Sequence, residues 1–224
     1  MPNAGSILEI GCGSGHVAAD LSKRGYAVTG VESDQEALAQ ARNRDVEVID
    51  GSWPHISVER VNAVIFTRSL HHISPLPEAI VRIGDVLLPN GTVLVEDFAF
   101  DEVSPSAIKW LLSVVESPEA QALISHHTDS FVTKLCGASN ALNAWHEDHD
   151  HELHTFGNMT CEIAQVFAIR GTQHVPYLYR YLVPVLPDTP KAAAFIAEIY
   201  DEESYLGNKG TISLVGRRIV AENN

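Results

Sequence analysis

Residues 7–15 read ILEIGCGSG: an apolar run, then glycines at 11, 13 and 15, then a helical pattern. Glycines at a strand-to-helix turn let the backbone approach a ligand closely, and the helix that follows offers unpaired N–H groups. A dinucleotide fingerprint of the GxGxxG kind requires a third glycine at position 16. That position is His16. The spacing is therefore GxGxG, with a bulky side chain where a pyrophosphate would have to approach.

The rest of the first hundred residues repeats the same alternation. Short apolar runs at 6–10, 26–31, 46–49, 63–66 and 92–96 read as strands. Between them lie helical patterns: Val17, Ala18 and Leu21 before Gly25, then 35–42, then 77–88 with apolar residues at 79, 80, 83, 86 and 87. Strands that are apolar throughout and alternate with helices predict an α/β fold, a doubly wound and mostly parallel sheet covered on both faces. Beyond residue 100 the rhythm changes. Residues 101–158 carry helical patterns and a polar tract, 159–167 reads as a helix, 175–185 as a strand, 192–200 as a helix and 211–220 as a last strand. These readings predict one domain over 1–224 with a helical insertion at 101–158 after the fifth strand.

Charge and cysteine usage narrow the function. The chain holds 15 Lys plus Arg against 29 Asp plus Glu, a formal net charge of −14. A protein that grips nucleic-acid backbone needs a cationic face, so the balance argues against that class and disfavours anionic lipid. No run approaches the roughly 18 apolar residues of a membrane span. The start, MPNAGSILEIG, lacks a basic segment and a long apolar stretch, so no signal peptide is expected. Cys12, Cys136 and Cys161 are far apart, without a CxxC pair, which suits free thiols in a reducing cytoplasm.

Two carboxylates complete the crevice predicted at the carboxyl ends of the strands. Glu32 ends the second strand, where it can accept the hydroxyls of a ribose. Asp50 ends the third, before Gly51, Ser52 and Trp53, where it can accept from the exocyclic amine of a purine. Open α/β sheets bind their ligands in such crevices.

Taken in order, ExGxGxG at 9–15, VE at 31–32, IDG at 49–51, FTRSLHHI at 66–73 and LLPNGTVLVED at 87–97 resemble the class I S-adenosylmethionine-dependent methyltransferases, in particular the group with Leu-His-His after the fourth strand. The resemblance implies a Rossmann-like methyltransferase fold of seven strands in the order 3-2-1-4-5-7-6, with strand seven antiparallel. It implies S-adenosyl-L-methionine as cofactor and methyl transfer to oxygen or nitrogen of a small-molecule acceptor. Glu9 and the loop of Gly11, Cys12, Gly13 and Gly15 would hold the methionine portion, with Glu9 near its ammonium. Glu32 and Ser33 would take the ribose, Asp50 and Gly51 the adenine, while Thr67 and Arg68 would line the wall near the sulfonium. The family's N-terminal helix has no counterpart in the few residues before the first strand, so the insertion is expected to cover the substrate.

Histidines supply the catalytic candidates. His71 and His72 follow the fourth strand, and His is the usual base near neutral pH. A second group stands in WHEDHDHELH at 145–154, where His146, His149 and His151 are candidates for substrate binding or proton transfer. His146, His149, His151 and His154, interleaved with acids, are also candidates for a divalent metal, and a solvated polar face is the third option. Two rival functions stay open: a non-catalytic cofactor- or metal-binding regulatory module, and a nicotinamide-dependent oxidoreductase, opposed by His16 and by the lack of a Ser/Tyr-xxx-Lys set. The expected partner is a small molecule, with no nucleic acid and no membrane, and the chain is compatible with a homodimer.

Overall fold

The computed structural model describes residues 5–124, 130–149 and 152–223. The chain divides into two compact units, one built from Met1–Asp97, His154–Gln173 and Arg217–Asn224, the other from Phe98–Leu153 and His174–Gly216.

The first unit carries the sheet. Its strands are β1 (Ser6–Ile10), β2 (Ala27–Glu32), β3 (Glu47–Asp50), β4 (Val61–Thr67), β5 (Leu87–Phe98), β6 (Phe167–Val175) and β7 (Gly216–Asn223), in the order β3-β2-β1-β4-β5-β7-β6. That is the expected order. β1 pairs in parallel with β2 and β4, β2 with β3, and β4 with β5. Side chains alternate across a strand, and each face has its own helices. Leu8, Ile10, Val64, Phe66, Val93 and Val95 point to one face, where α3 (Leu76–Val86) and α8 (Phe156–Val166) cover them with Ile80, Ile83, Met159 and Ile163. Ile7, Val28 and Ile65 point to the other, beneath Ala18, Ala19 and Ala41 of α1 (His16–Lys23) and α2 (Gln35–Arg42). Farther along that second face Leu94 and Val220 stay exposed over an open apolar trough of about 720 Å³.

The second unit is helical: α4 (Pro105–Val115), α5 (Pro118–Gln121), α6 (Phe131–Gly137), α7 (Ala141–His149) and α9 (Pro190–Asn208). Sequence sets several of these starts directly. Ser104, Ser117 and Thr189 cap α4, α5 and α9 through their hydroxyls, each followed by proline at the first helical position. A hydroxyl cap satisfies an orphan N–H, and proline there has no N–H to lose. The core gathers Trp145, Leu111, Leu135, Leu178 and Leu182, with the Trp145 indole N–H donating to the Phe100 carbonyl at 2.8 Å.

Three segments depart from expectation. The stretch 175–185 is not a strand: it forms 3-10 turns at Leu178–Tyr181 and Val183–Val185. The cause is Glu203 on α9, whose fully buried carboxylate accepts the N–H groups of Tyr177, Leu178 and Tyr179 at 2.8, 3.0 and 3.0 Å. Three successive N–H groups turned toward one acceptor cannot also form a ladder. Burial still pushes the Glu203 carboxyl up from its ordinary value, against those N–H groups and the Arg180 charge. Phe167 opens the sixth strand instead of closing a helix, and the last strand starts at Gly216, because Ser213 is tied to Ser104. Within 101–158 the described residues form α4 to α7 of the second unit and α8, which starts at Phe156, of the first.

Candidate functional site

The glycine loop is shaped by close contacts. Gly11 has φ +67°, and a Cβ there would stand 2.5 Å from the Cβ of Ser69, whose hydroxyl donates to the Ile10 carbonyl at 2.5 Å. Gly15, at φ +76°, caps α1, and a Cβ there would meet Ala41 at 2.9 Å. Only glycine holds both conformation and space. Arg44 pins the loop from outside, donating to the Ser14 and Gln40 carbonyls at 3.1 and 3.0 Å and standing 3.0 Å from His16 Nε2.

Beyond the carboxyl ends of β1, β2, β3 and β4 lies a crevice of about 440 Å³, lined by Ile10, Gly11, Val31–Ser33, Gly51–Trp53, Arg68–Ser69 and His72–Ser74. Glu32 organises one wall. Its Oε2 accepts the Gly13 N–H at 2.8 Å, and its Oε1 accepts those of Ser33 and Asp34 at 2.8 and 2.9 Å. A carboxylate has about four acceptor sites, so one is left, on Oε2. Asp50 is exposed and accepts from the Gln35 amide at 3.1 Å; its neighbour Gly51 lines the crevice and donates its N–H to the Glu32 carbonyl at 3.0 Å. Trp53 is fixed by its indole N–H on the Ala79 carbonyl at 3.0 Å. Arg68 takes φ +64° and donates its N–H to the Glu96 carbonyl at 2.7 Å.

Glu9, Cys12 and Thr67 are not among the residues that line the crevice. Glu9 is fully buried; Thr67 Oγ1 donates to its Oε1 at 2.5 Å, and its Oε2 is buried with no hydrogen-bond partner among the described residues. Burial raises the Glu9 carboxyl, with the Thr67 hydroxyl, the Ala18 N–H and the Arg68 charge pulling the other way. Cys12 is pushed up to about 12 by burial first and then by the charges of Glu9 and Glu32, which leaves the thiol inert.

The two histidines after β4 part company. His72 lines the crevice, whereas His71 is buried with its Nδ1 2.6 Å from Asp97 Oδ1 and its backbone N–H donating to Asp97 Oδ2 at 3.2 Å. Asp97 is the residue that sequence reasoning missed; its signal was an acid at the end of the fifth strand in the quoted LLPNGTVLVED. His154, a metal candidate by sequence, ties this turn: its N–H donates to the His71 carbonyl and its Nε2 lies on the Ile73 carbonyl, both at 2.9 Å.

In the second unit His149 is buried among aromatic rings. Its Nδ1 donates to the Trp145 carbonyl at 2.7 Å and its Nε2 accepts from the Tyr181 hydroxyl at 2.9 Å; its ring stacks on Trp145 at 4.4 Å. A carbonyl cannot donate, so the proton sits on Nδ1. His146 is exposed on α7. His151 lies outside the described residues. Among the described residues no three His, Cys, Asp or Glu side chains gather as a metal site would require.

Comparison with known proteins places this arrangement. Residues 2–156 match the family described as a methyltransferase domain. An uncharacterized methyltransferase of Mycobacterium bovis is 33% identical over 107 residues, 45% of this chain and 52% of that one, so the chain spans about half the length of this curated relative. A ubiquinone biosynthesis O-methyltransferase of Alkalilimnicola ehrlichii is 23% identical over 188 residues, 78% of this chain and 72% of that one. Among solved structures, an S-adenosylmethionine dependent methyltransferase from Mesorhizobium loti shares the fold at a TM-score of 0.59 and 13% identity, covering 100% of this chain and 94% of that one. Because the family match runs unbroken from residue 2 through β1 to β5 and on to residue 156, this chain belongs to the methyltransferase-domain family.

Proposed function

We propose that the protein transfers a methyl group from S-adenosyl-L-methionine to a small-molecule acceptor, at oxygen or nitrogen. The observation that carries this reading is the buried Glu9 Oε2, which has no hydrogen-bond partner among the described residues and belongs to the strand that runs into the glycine loop. A buried carboxylate oxygen left unpaired is costly, and the ammonium of the cofactor's methionine portion is the donor that such an oxygen lacks. The crevice suits the remainder: the last acceptor site on Glu32 takes a ribose hydroxyl, and Gly51 and Trp53 border the space for an adenine. When bound, the cofactor supplies an electrophilic methyl on a sulfonium that needs no protonation to leave. The protein's part is alignment, which can be worth about 7–11 kcal/mol.

The name of the Alkalilimnicola relative supports an oxygen acceptor, and the charge of −14 supports a small molecule over a polyanion. Calorimetry with S-adenosylmethionine, S-adenosylhomocysteine and NADH tests the cofactor: the first two should bind and the third should not. Methyl-tritiated cofactor incubated with a metabolite extract then tests transfer. Binding of NADH alone would overturn the assignment.

A further inference from the structure

Thr67 and Ser69 flank Arg68, and both turn back onto β1. The Thr67 hydroxyl donates to Glu9 and the Ser69 hydroxyl to the Ile10 carbonyl, each at 2.5 Å. Arg68 between them takes φ +64°, a left-handed conformation unfavourable for any residue with a Cβ, and its N–H is tied to the Glu96 carbonyl at 2.7 Å. Strain of this kind persists where the surrounding structure fixes it, and it gathers at ligand clamps. Here it sets an exposed arginine in the wall of the crevice.

Among the described residues that line the crevice, Arg68 is the only Lys or Arg and Glu32 the only Asp or Glu. Glu32 is taken up by the N–H groups of Gly13, Ser33 and Asp34. The Arg68 guanidinium has neither hydrogen bond nor salt bridge among the described residues, in a chain with 29 acids to 15 bases. The fork of a guanidinium matches the two oxygens of a carboxylate. A single fork suits a single negative charge, whereas a phosphate monoester, near −2, would call for a second cation.

We propose that Arg68 anchors the carboxylate of the acceptor, which makes small monocarboxylic acids bearing a hydroxyl or amino group the substrate class of this crevice. The proposal rests on the methyltransferase reading above. Under that reading Arg68 shares the crevice with a sulfonium, and two positive charges facing one space are destabilising unless an anion lies between them. The acceptor is the molecule that must come up to the sulfonium. With both carboxylate oxygens on the guanidinium, the methyl goes to another heteroatom and the product keeps its negative charge. The cofactor has a carboxylate too, on the carbon that carries its ammonium, so a residue serving it would stand close beside Glu9. The Arg68 charge is the smallest of the influences on Glu9, and Arg68 is exposed where Glu9 is fully buried.

The test begins with ¹⁵N-arginine NMR on the whole chain, using Arg68→Met to assign the signal. The Arg68 Nε resonance should shift when benzoate is added and stay in place with benzamide. Arg68→Gly should melt no lower than the wild type, because glycine relieves the left-handed conformation. S-adenosylhomocysteine, measured by calorimetry, should bind wild type, Arg68→Met and Arg68→Gly alike. With methyl-tritiated cofactor and a metabolite extract, the wild type should place base-stable label in compounds that an anion exchanger retains at alkaline pH and that phosphatase leaves unchanged. Both variants should lose about ten- to 150-fold of that transfer, the scale of a hydrogen bond to a charged group. Label confined to uncharged products or base-labile esters, transfer unchanged in Arg68→Met, an Arg68 signal that ignores benzoate, or a lower melting temperature for Arg68→Gly would overturn the proposal. Weaker binding of S-adenosylhomocysteine in both variants, with methylthioadenosine bound as before, would put the guanidinium on the cofactor's carboxylate and overturn it as well. Failure of the wild type to bind S-adenosylhomocysteine would instead overturn the methyltransferase reading, while the benzoate titration still reports on Arg68 itself.

Discussion

Thr67 Oγ1 donates to Glu9 Oε1 at 2.5 Å, while the other oxygen of the same buried carboxylate has no partner among the described residues. One half of Glu9 is thus satisfied from β4, and the other half is the oxygen that the proposed function assigns to the cofactor's ammonium. Burial raises the Glu9 carboxyl above the ordinary 4.5. A raised value means that its contribution to stability is complete below about pH 4.5 and is lost as pH climbs through the folded-state value. Glu9→Gln should therefore unfold at higher temperature than the wild type near pH 7 without ligand, and the gap should close below pH 4.5. The same variant should bind S-adenosylhomocysteine about ten- to 150-fold more weakly, the scale of a hydrogen bond to a charged group. Thermal scans across pH and calorimetry measure the two effects.

Glu32 is both a wall of the crevice and the tie that holds Gly13, Ser33 and Asp34. Glu32→Ala should weaken cofactor binding by about 1.5–3 kcal/mol and also lower the stability of the unliganded protein by a similar amount. Denaturant unfolding separates these: weaker binding with unchanged stability would show that the N–H ties contribute nothing.

Glu203→Ala should cost about 2–5 kcal/mol, because the N–H groups of Tyr177, Leu178 and Tyr179 would be left buried without an acceptor. Chemical denaturation followed by tryptophan fluorescence should report it, since Trp145 sits in the core of the same unit.

The histidines of α7 should divide sharply. His149→Ala removes a buried ring with two hydrogen bonds and a stack on Trp145, and should destabilise by about 2–4 kcal/mol. His146→Ala alters an exposed position and should stay within about 0.5 kcal/mol. Equal effects would mean that the burial of His149 is not what holds α7.

Cysteine reactivity offers a check that needs no ligand. Cys12 is buried with its thiol pushed up to about 12, whereas Cys136 and Cys161 are exposed. Brief iodoacetamide treatment followed by peptide mass spectrometry should find label on Cys136 and Cys161 and none on Cys12 until the protein is unfolded.

Local physics made much of this chain legible. The glycines of ILEIGCGSG and the apolar strands act through neighbours a few residues away, so period and turn chemistry placed β1 to β5 and the helices between them. Sheet order came from the family resemblance and holds. The tyrosines of 175–185 misled because their β-propensity is weak beside three N–H bonds to Glu203, a residue far downstream. The same holds at the site. Sequence marked His71, His149 and His154 as chemically capable, but it could not say which nitrogen each would commit, or to what. Asp97, Tyr181 and the carbonyl of Ile73 decided that, across separations of 26, 32 and 81 residues. A side chain's type is written in the sequence, whereas its proton, its partner and its solvent are set by whatever the fold packs against it.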